Sequence, residues 1–517
     1  MMIRGMSRCL VFILAALWLS GASSTTASKD TPAQSHNHIT HPNIVFILTD
    51  DMALSDMQVM SNVKALIVDQ GASFANFFVT NSLCCPSRSS ILRGQYVHNH
   101  KVTRNAHGFE HFHDFGHERS TIATWLKEAG YTTALMGKYL NGYALKGKET
   151  YVPPGWDEWD SPIDNKAYTE FDYRMNENGR IVTYGKSTED YLTDVLARKA
   201  IAFIQQAAGK ESPFFLYLAT YAPHQPAIPA PRHQNLYSDT KAPRTPSFDE
   251  KDVSAKPAFV RARPFLSDKQ LAFIDDLYRK RLQSLRAVDE MVREVVQTLK
   301  ETNQLHNTYI VFTSDNGFHL GQHRLPYGKQ TAYEEDIHVP LAIRGPGIAA
   351  KHVVSELGLE TDFGPTFAQW AGAAAPDFVD GRSLAPLLSQ NGLPSHEWRQ
   401  GVLIEHYPGT EPFMSKFERL LISQKPSLPP YSAVRTQRYL YVEYTTGERE
   451  LYDLHSDPTE LANIYQGADQ SLIRRLSAWL SRMKSCHASD CRQSEESALE
   501  KAVVTRDETN RIGAPRS

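Results

Sequence analysis

Two adjacent cysteines, Cys84 and Cys85, stand directly before Pro-Ser-Arg in the stretch NSLCCPSRSSILRG. The letters PSRSSILRG predict a helix, and with Asn81 or Ser82 as its N-cap the helix begins at or near Cys84. Free backbone N–H groups and the helix dipole favour an anion at that end, and Arg88 faces it one turn on. The stretch therefore suits a tetrahedral oxyanion such as sulfate or phosphate.

Charged and amide side chains follow four predicted buried strands at the point where each strand ends. The strand over 43–49 is followed by Asp50 and Asp51, the strand beginning at Thr132 by Lys138, the strand over 214–219 by His224, and the strand over 308–314 by Asp315 and Asn316. In open α/β sheets ligands bind outside the carboxyl ends of the strands, so we expect these side chains to converge. Three carboxylates and an amide carbonyl suit a hard cation such as Ca²⁺ or Mg²⁺ better than zinc.

Each of these residues also has an ordinary structural interpretation when it is taken alone. Asp50 or Asp51 could cap a helix, and the letters SDNG form a good turn. Lys138 could be a solvated lysine and His224 a loop histidine. Their shared position at strand ends is what favours one site over four unrelated features.

The segments that must position these residues alternate short apolar runs with amphipathic runs. This pattern predicts an α/β fold with a large mixed, mostly parallel sheet flanked by helices. One helix is predicted after an N-cap at Ser120, and a longer one from the capping box at Ser267 to Leu299. Residues 431–454 predict a smaller C-terminal antiparallel sheet, and an amphipathic helix follows over about 470–483.

The chain divides into four predicted parts. Residues 1–27 are typical of a signal peptide, because Arg4 and Arg8 precede a short apolar run and small residues follow it. Residues 40–392 form the catalytic α/β domain, residues 398–491 a C-terminal α+β subdomain, and residues 492–517 a polar, disordered tail. The apolar run is too short to span a bilayer, and no membrane span is predicted elsewhere. We therefore expect a secreted or periplasmic protein.

The net charge of the chain bears on its binding partners, and the spacing of its cysteines bears on which disulfides can form. A formal net charge of -3 with interspersed signs gives no reason to expect nucleic acid as a partner. Cys486 and Cys491 are spaced to form a local disulfide in an oxidising compartment. Cys84 and Cys85 are either buried thiols or partners of the C-terminal cysteines, and a vicinal disulfide between them ranks low because it would be strained.

The letters CCPSRSSILRG resemble the sulfatase signature Cys-x-Pro-Ser-Arg followed by Leu-x-Gly, with Cys84 as its cysteine. The resemblance continues through TDD, GKYLNGY, YLTDVLA, YAPH, SDNGFHLGQH, HVPLAIRGPG and ELYDLHSDPTELANI. It implies an alkaline-phosphatase-like fold and a sulfuric ester hydrolase. CCPSR, YVHNH and GKYLN are most similar to the branch with N-acetylglucosamine-6-sulfatases and extracellular heparan sulfate 6-sulfatases, which implies a sulfated carbohydrate substrate, with the 6-O-sulfate of glucosamine as the expected ester.

The resemblance also implies the cofactors. A formylglycine-generating maturation enzyme would oxidise Cys84 to an aldehyde whose hydrate is the nucleophile, while Cys85 is a packed neighbour. The implied ligands of one divalent cation, expected to be Ca²⁺, are Asp50, Asp51, Asp315, Asn316 and the modified Cys84.

The remaining catalytic roles are carried over from the same motifs. Arg88 would stabilise the formylglycine hydrate, Lys138 and Lys329 would hold sulfate oxygens, and His224 would lie near the ester oxygen. Many arylsulfatases have a histidine two residues after the lysine that matches Lys138, and this chain has Leu140 there. The acid/base scheme of arylsulfatases therefore does not transfer directly.

Two further residues and three further functions stay open. Asn141 and His319 lie next to the catalytic motifs and are predicted sugar contacts, and either is equally a structural residue. The alternatives are an arylsulfatase of broad specificity, a phosphoester or phosphonate hydrolase of the same superfamily, and a sulfated-glycan-binding protein whose Cys84 is never matured. The cysteine signature and the oxygen-rich ligand set argue against the phosphorus substrates.

Overall fold

The first strand, β1 (Asn43–Thr49), lies inside a ten-stranded sheet and has both faces buried. Phe46 and Leu48 pack into the core on one face, and Val45 and Ile47 pack into the core on the other. Successive side chains of a strand point to opposite faces, so a strand covered on both sides needs a continuous apolar run. This explains the letters NIVFILT. The computed structural model describes residues 41–389, 398–409 and 427–496.

The other nine strands of the large sheet are β2 (Ala72–Phe78), β3 (Thr132–Gly137), β4 (Glu158–Pro162), β5 (Arg174–Glu177), β6 (Arg180–Thr183), β7 (Phe214–Ala219), β8 (Thr308–Ser314), β9 (Leu341–Arg344) and β10 (His352–Leu359). Their order across the sheet is β10-β2-β9-β8-β1-β7-β3-β4-β5-β6. Five neighbouring pairs are parallel and four are antiparallel. The predicted mixed, mostly parallel sheet is confirmed.

Helices cover both faces of this sheet. The described α-helices are α1 (Ser61–Leu66), α2 (Cys84–Arg93), α3 (Val97–His100), α4 (Gly108–Asp114), α5 (Ile122–Glu128), α6 (Leu192–Ala207), α7 (Ala258–Arg261), α8 (Asp268–Glu301), α9 (Glu334–Ile337), α10 (Phe363–Trp370), α11 (Ala385–Leu388), α12 (Gln470–Met483) and α13 (Ser489–Ser494). Helices α6 and α8 pack on one face, and α2, α5 and α10 pack on the other. Short 3₁₀ turns lie at Leu54–Val59, Val68–Gln70, His117–Arg119, Asn165–Thr169, Thr188–Asp190, Pro231–His233, Leu305–Asn307 and Glu360–Asp362.

A smaller antiparallel sheet follows near the C-terminus, as predicted. Its strands β11 (Gly401–His406), β12 (Tyr431–Thr436), β13 (Tyr439–Tyr444) and β14 (Arg449–Asp453) lie in chain order, and α12 packs against β12. The backbone N–H of Glu405 donates to the carbonyl of Thr80 at 2.7 Å, which joins this sheet to the loop before α2. The described residues make one compact unit across the two predicted parts 40–392 and 398–491. The predicted signal peptide lies outside the described residues.

The long helix α8 begins where the sequence predicts. The Ser267 hydroxyl accepts a hydrogen bond from the Gln270 N–H at 3.4 Å, and the Gln270 side chain accepts from the Ser267 N–H at 2.9 Å. This reciprocal pair satisfies backbone donors that the first helical turn leaves free. No helix in the described part of the chain is long and apolar enough to cross a membrane.

Two predicted helix caps are wrong, for a common reason. Leu83, not Asn81 or Ser82, is the N-cap of α2, because the Asn81 amide donates to the carbonyl of Glu405 at 2.6 Å and the Ser82 hydroxyl to the carbonyl of Thr331 at 3.2 Å. These bonds link residues more than 240 positions apart, so local sequence carries no sign of them.

At α5, Thr121 replaces the predicted cap Ser120, and here the competing partner is only five residues away. The Ser120 hydroxyl instead accepts a hydrogen bond from the indole N–H of Trp125 at 2.8 Å. In both helices the side chain of the predicted cap makes a different hydrogen bond and does not cap the helix.

The polar tail was predicted to begin at residue 492, but the folded part of the chain extends beyond that point. Helix α13 runs beyond Cys491, and Glu495 is fully buried, where the Tyr96 hydroxyl donates to it at 2.6 Å and Arg399 pairs with it at 3.0 Å. The predicted disulfide between Cys486 and Cys491 is present and precedes this contact. Residues 497–517 lie outside the described residues.

Gly137 ends β3 at a point where two strands approach closely. Its φ is +103°, and a Cβ there would lie 1.8 Å from the carbonyl oxygen of Ala219 in β7. The N–H of Lys138 donates to the same oxygen at 2.9 Å. We therefore expect Gly137→Ala to separate the strand ends and to lower the free energy of unfolding by roughly 2–4 kcal/mol, measured by urea denaturation.

Gly130→Ala is the matched control for this substitution. Gly130 also has a positive φ, +87°, but a Cβ at this position would meet no described atom within 4 Å. The control therefore carries the backbone strain without the clash, at a cost of about 1 kcal/mol. Equal destabilisation by the two substitutions would show that the close approach of β3 and β7 is not what requires glycine.

Candidate active site

The residues predicted at strand ends lie together at one edge of the large sheet. Strands β8, β1, β7 and β3 are adjacent and parallel, so their carboxyl ends share that edge. The structure brings together every predicted catalytic and metal-binding residue: Asp50, Asp51, Cys84, Arg88, Lys138, His224, Asp315, Asn316 and Lys329. The topology explains this convergence, because side chains that follow parallel strands project from the same edge.

Two lysines pair with the two carboxylates that follow β1. Lys138 Nζ lies 2.5 Å from Asp50 Oδ2, and Lys329 Nζ contacts Asp51 Oδ1. Burial alone would raise the pKa of Asp51, but Lys329, His224 and Lys138 outweigh it and hold the pKa well below its ordinary value. Burial likewise opposes the charge of Lys138, but Asp50 raises its pKa well above the ordinary value. Asp51 is therefore ionised at neutral pH, and Lys138 keeps its charge.

Cys84 is the first residue of α2, so the prediction of its place at the helix N-terminus is confirmed. Its Sγ lies 3.4 Å from Asp50 Oδ1 and 2.7 Å from Lys329 Nζ. Burial, reinforced by Asp50, raises the pKa of the Cys84 thiol above its ordinary value. Because the thiolate is the reactive form of cysteine, the unmodified thiol is poorly suited to act as a nucleophile here.

Arg88 is fully buried one turn along α2 and holds the third carboxylate. Its Nε donates to Asp315 Oδ2 at 2.7 Å, and its Nη1 donates to the carbonyl of Lys138 at 2.8 Å. Nη2 is buried and has no hydrogen-bond partner among the described residues. Although burial opposes its charge, Asp315 and Asp50 raise the pKa of Arg88, which stays a cation. Arg88 thus joins α2 to the ends of β3 and β8.

His224 follows β7 and faces the same carboxylates. Its Nε2 lies 3.5 Å from Asp51 Oδ2, and its Nδ1 lies 2.6 Å from the carbonyl oxygen of Gln225. A carbonyl oxygen only accepts hydrogen bonds, so Nδ1 carries the proton and Nε2 of the neutral ring holds a lone pair. Burial lowers the pKa of His224 to about 4.

The donors in this site fit a hard divalent cation. Asp50, Asp51, Cys84 and His224 each offer an atom within 4.8 Å of the others. Asn316 donates its Nδ2 to Asp51 Oδ1 at 2.7 Å, which leaves its buried Oδ1 without a partner in the described part of the chain. Buried polar atoms are nearly always partnered, and an oxygen donor among carboxylates is the kind of ligand that Ca²⁺ takes.

The charges of the site also leave room for a cation. Three buried carboxylates stand against three cationic side chains: Asp50, Asp51 and Asp315 against Lys138, Lys329 and Arg88. Their formal charges cancel, so a divalent cation gives the site two excess positive charges. Such a site attracts an anionic ester into a pocket of low dielectric.

The two predicted sugar contacts occupy different surroundings. The Asn141 side chain donates to the Tyr168 hydroxyl at 3.2 Å, and its Oδ1 is buried without a partner from residues 41–389, 398–409 or 427–496. His319 is buried, and its Nδ1 lies 2.9 Å from Asp336, which also accepts from the Thr331 N–H at 2.9 Å. His319 therefore supports the segment next to Lys329. A sugar contact by either residue stays a prediction.

The aromatic side chain of Tyr168 was not among the predicted site residues. Its ring lies 4.6 Å from that of His224, and Lys138 Nζ lies 5.2 Å from its centre. Tyr168 lies in a 3₁₀ turn between β4 and β5, and along the sequence it does not follow any of the strands used in the prediction. No local pattern in the sequence indicates its place beside the site.

Ser87 and Glu360 form a buried support beneath Asp315 that the sequence patterns did not indicate. Ser87 Oγ lies 2.5 Å from the carbonyl oxygen of Asp315 and 2.5 Å from Glu360 Oε2. Burial raises the pKa of Glu360 to about 8, so this carboxyl is protonated at neutral pH and can donate to the serine. Ser87 belongs to the Cys-x-Pro-Ser-Arg motif, which is the one signal that could have found it.

Comparison with known proteins decides the family. The family model described as Sulfatase matches residues 42–373, and the model described as N-sulphoglucosamine sulphohydrolase, C-terminal, matches residues 321–485. The chain belongs to the sulfatase family. It is therefore a sulfuric ester hydrolase, as the resemblance predicted.

Several relatives of this sulfatase cover most of its length. Human N-acetylglucosamine-6-sulfatase is 35% identical over 478 residues, which cover 87% of this chain and 86% of the human protein. An arylsulfatase of Volvox carteri is 34% identical and covers 93% of this chain and 79% of its own. The extracellular sulfatase SULF-1 homolog of Drosophila melanogaster is 40% identical over 70% of this chain, but the match spans only 33% of that longer protein.

Solved structures share the fold. A protein in complex with its substrate D-glucosamine-2-N,6-O-disulfate superposes with a TM-score of 0.72 at 24% identity, covering 89% of this sulfatase and 100% of that chain. A phosphonate monoester hydrolase from Silicibacter pomeroyi superposes with a TM-score of 0.65 at 27% identity, covering 86% and 94%. The predicted fold class is confirmed.

Proposed function

We propose that this sulfatase removes the 6-O-sulfate of glucosamine residues in glycans, with a formylglycine made from Cys84 and one Ca²⁺ ion in the carboxylate site. The observation that carries the chemistry is the position of Cys84 Sγ, at the first residue of α2 and 2.7 Å from Lys329 Nζ. The relative named N-acetylglucosamine-6-sulfatase, which matches 87% of this chain, supports the substrate. An extracellular relative supports export, for which the signal peptide stays a prediction.

The cation and the formylglycine would have different roles in the reaction. Bound by Asp50, Asp51, Asp315 and Asn316, the cation would supply positive charge beside the sulfate oxygens, and the formylglycine hydrate would supply the attacking hydroxyl. A maturation enzyme is required to oxidise Cys84. All further parts of the proposal concern groups that this chain already holds.

Lys138 and Lys329 bind the sulfate oxygens in this proposal. Their Nζ atoms flank the carboxylates, and Lys329 keeps its proton because Asp51 and Cys84 raise its pKa, although burial opposes the charge. Preorganised cations in a buried site stabilise the charge that develops on the sulfate more strongly than water does. Arg88 orients the start of α2 through its bonds to Asp315 and to the carbonyl of Lys138.

The departing sugar oxygen needs a proton, because an alkoxide is a poor leaving group. Lys138 and Lys329 each hold ammonium protons in the site, and His224 presents Nε2 to the same space. The Tyr168 ring packs against the His224 ring, with 4.6 Å between their centres. We assign the proton donor to the two lysines, because Nε2 of the neutral His224 holds a lone pair and has no proton to give.

The substrate proposal is tested with positional isomers. We expect kcat/KM for N-acetylglucosamine-6-sulfate to exceed that for the 3-sulfate by more than about tenfold, since the two esters differ mainly in how they fit the pocket. A synthetic aryl sulfate serves as a third substrate. Equal rates on both isomers and faster aryl sulfate hydrolysis would instead favour the broad arylsulfatase.

Removal of the cation is expected to inactivate the enzyme. Dialysis against EDTA should lower kcat/KM by about 100-fold or more, because the site would then lose the excess positive charge that binds the anionic ester and stabilises its transition state. Added Ca²⁺ should restore activity, and the metal content is measured on the same sample. Full activity in protein that contains less than about one tenth of a metal ion per chain would contradict the proposed cation.

A further inference from the structure

Three side chains that lie close together away from the active site each carry a buried atom without a hydrogen-bond partner among the residues that the structure describes. These atoms are His323 Nε2, Glu335 Oε2 and Glu460 Oε1. One ligand atom from each residue lies within 4.8 Å of the other two, and His323 and Glu460 are each only 1% exposed. We call these three residues the His-Glu-Glu triad. Buried polar atoms rarely stay unpartnered, so three in one place indicate a missing ligand.

His323 is oriented as a metal ligand. Its Nδ1 lies 2.6 Å from Glu250 Oε2, so the pairing assigns the ring proton to Nδ1 and leaves the Nε2 lone pair facing the triad. Burial lowers the pKa of His323 well below its ordinary value, which keeps the ring neutral. Histidines that bind metals through one nitrogen commonly donate the other N–H to a carboxylate in this way.

Each of the two glutamates has one carboxyl oxygen with a hydrogen-bond partner and one without. Glu460 Oε2 accepts from the Glu334 N–H at 3.1 Å and Glu335 Oε1 from the Ser247 hydroxyl at 3.3 Å, and the other oxygen of each carboxyl has no partner among the described residues. Burial raises the pKa of Glu335 to about 7 and that of Glu460 well above its ordinary value. Carboxylates without partners are costly to bury, so a cation between them would stabilise both.

The nearby Lys256 does not fill this role. Its Nζ contacts the backbone carbonyl of Glu460, lies 3.0 Å from the Tyr452 hydroxyl and lies 3.7 Å from Glu250 Oε2. The charge of Lys256 favours the ionised forms of both Glu250 and Glu460, but Lys256 makes no hydrogen bond to the three unpartnered triad atoms. The three triad atoms therefore remain available to a ligand.

We propose that the His-Glu-Glu triad binds a second divalent cation, of the first transition row, with Zn²⁺ as its expected occupant. One imidazole nitrogen and two carboxylate oxygens suit zinc, whereas the oxygen donors of the active site suit calcium. Zinc about 2.1 Å from each donor needs donors about 3–4 Å apart, which small side-chain movements reach from the present spacing. None of the three triad residues belongs to the proposed calcium site or to the catalytic residues.

Two residues of the triad lie on either side of Lys329 in the sequence. His323 and Glu335 lie at the two ends of the segment that carries Lys329, and Glu460 belongs to the loop after β14. A cation shared by the three would fix both ends of the segment to the C-terminal part of the chain. Its role is positioning: it would hold Lys329 toward Cys84 without touching substrate.

The direct test uses crystals of the full-length wild-type enzyme grown with a small excess of Zn²⁺. We expect an anomalous difference peak at the zinc absorption edge that is bounded by His323 Nε2, Glu335 and Glu460. Absence of a peak at this place, with zinc present, would overturn the proposal. A peak only at surface histidines would overturn it equally.

Variants test the same site in solution. In metal-free buffer after zinc loading, Glu460→Gln should lose about one zinc per chain relative to wild type, measured by elemental mass spectrometry. Glu448→Gln is the matched control, because Glu448 lies in the nearby turn and accepts from the Ala258 N–H at 2.8 Å outside the triad. Equal zinc content in both variants would contradict the proposal, and circular dichroism verifies that each is folded.

A further variant separates this site from the proposed function. Cys84→Ala lacks the proposed nucleophile but keeps the triad, so we expect it to be inactive and to bind zinc as wild type does. If wild-type zinc binding is absent while sulfatase activity is intact, the triad proposal alone fails. If zinc binding is present in an enzyme without activity on 6-sulfated glucosamine, the function proposal alone fails.

Discussion

Cys84→Ala is expected to lower kcat/KM for sulfate esters by at least about a thousandfold, because removal of a covalent nucleophile leaves only the charge stabilisation of the site. The fold should be unaffected, since alanine is favourable in a helix and the hydrogen-bonding contacts of Cys84 Sγ are with site residues. Steady-state kinetics with circular dichroism measures both effects. We expect the loss to lie in kcat rather than in KM.

Cys85→Ala is the matched control for this prediction. Cys85 is the next residue of α2 and is equally buried, but its Sγ packs beside Gly108, away from the carboxylates. Burial raises the pKa of Cys85 to about 12, so its thiol is inert. Activity within about threefold of wild type is expected, because the change removes a packed sulfur and no charge. Similar losses from both substitutions would contradict a special role for Cys84.

Arg88→Lys is expected to lower kcat/KM by about 100-fold or more and the free energy of unfolding by roughly 3 kcal/mol. Lysine keeps the charge but cannot reach Asp315 and the carbonyl of Lys138 at the same time, as the guanidinium does. Asp315 would then be a buried carboxylate with a weakened partner. Kinetics and urea denaturation of the cation-loaded enzyme measure the two losses.

Arg93→Lys controls for the loss of any arginine from α2. Arg93 lies in the last turn of the helix, where its Nε donates to Gln95 at 3.0 Å and its Nη1 to the carbonyl of Ser120 at 2.7 Å, away from the site. This substitution should reduce stability modestly and leave kcat/KM within about threefold of wild type. Wild-type activity in Arg88→Lys would remove Arg88 from the catalytic residues.

The sequence was most informative about residues that directly follow parallel strands, because the order of the chain then fixes where those residues lie. Asp50, Lys138 and Asp315 each follow an apolar run, and parallel strands must present such residues at one edge of the sheet. The mostly parallel sheet and the site residues were therefore predictable together. Cys84 at the start of α2 was predictable for a similar reason, because turn and helix signals there are local.

The features that the sequence did not predict depend on contacts between distant segments. Asn81 and Ser82 were suitable helix caps, but the carbonyls of Glu405 and Thr331 bind their side chains. Glu495 looked like part of a polar tail, but Arg399 and Tyr96 bind it in the interior. A polar residue is predicted as exposed unless its buried partner is known, and that partner is set by the tertiary fold.

The hydrogen-bond partners of Arg88 were likewise not predictable, because they belong to other segments of the chain, and its role toward an anion stays a prediction. The sequence predicts that Arg88 faces the anion at the start of α2, and in the structure two of its three nitrogens bind Asp315 and the carbonyl of Lys138. Only Nη2 is left without a partner from the described segments. Arg88 can therefore offer an anion the N–H donors of Nη2, and it also fixes the positions of α2 and Asp315.

The central claim is that Cys84 becomes the formylglycine nucleophile of a sulfatase. The most direct measurement is mass spectrometry of the tryptic peptide over 65–88, from active enzyme secreted by its native host. We expect this peptide to be lighter by about 18 mass units than the peptide with two thiols, the difference between cysteine and formylglycine. Fragmentation should place the change at Cys84 and not at Cys85. An unmodified thiol at Cys84 throughout fully active enzyme would contradict the account.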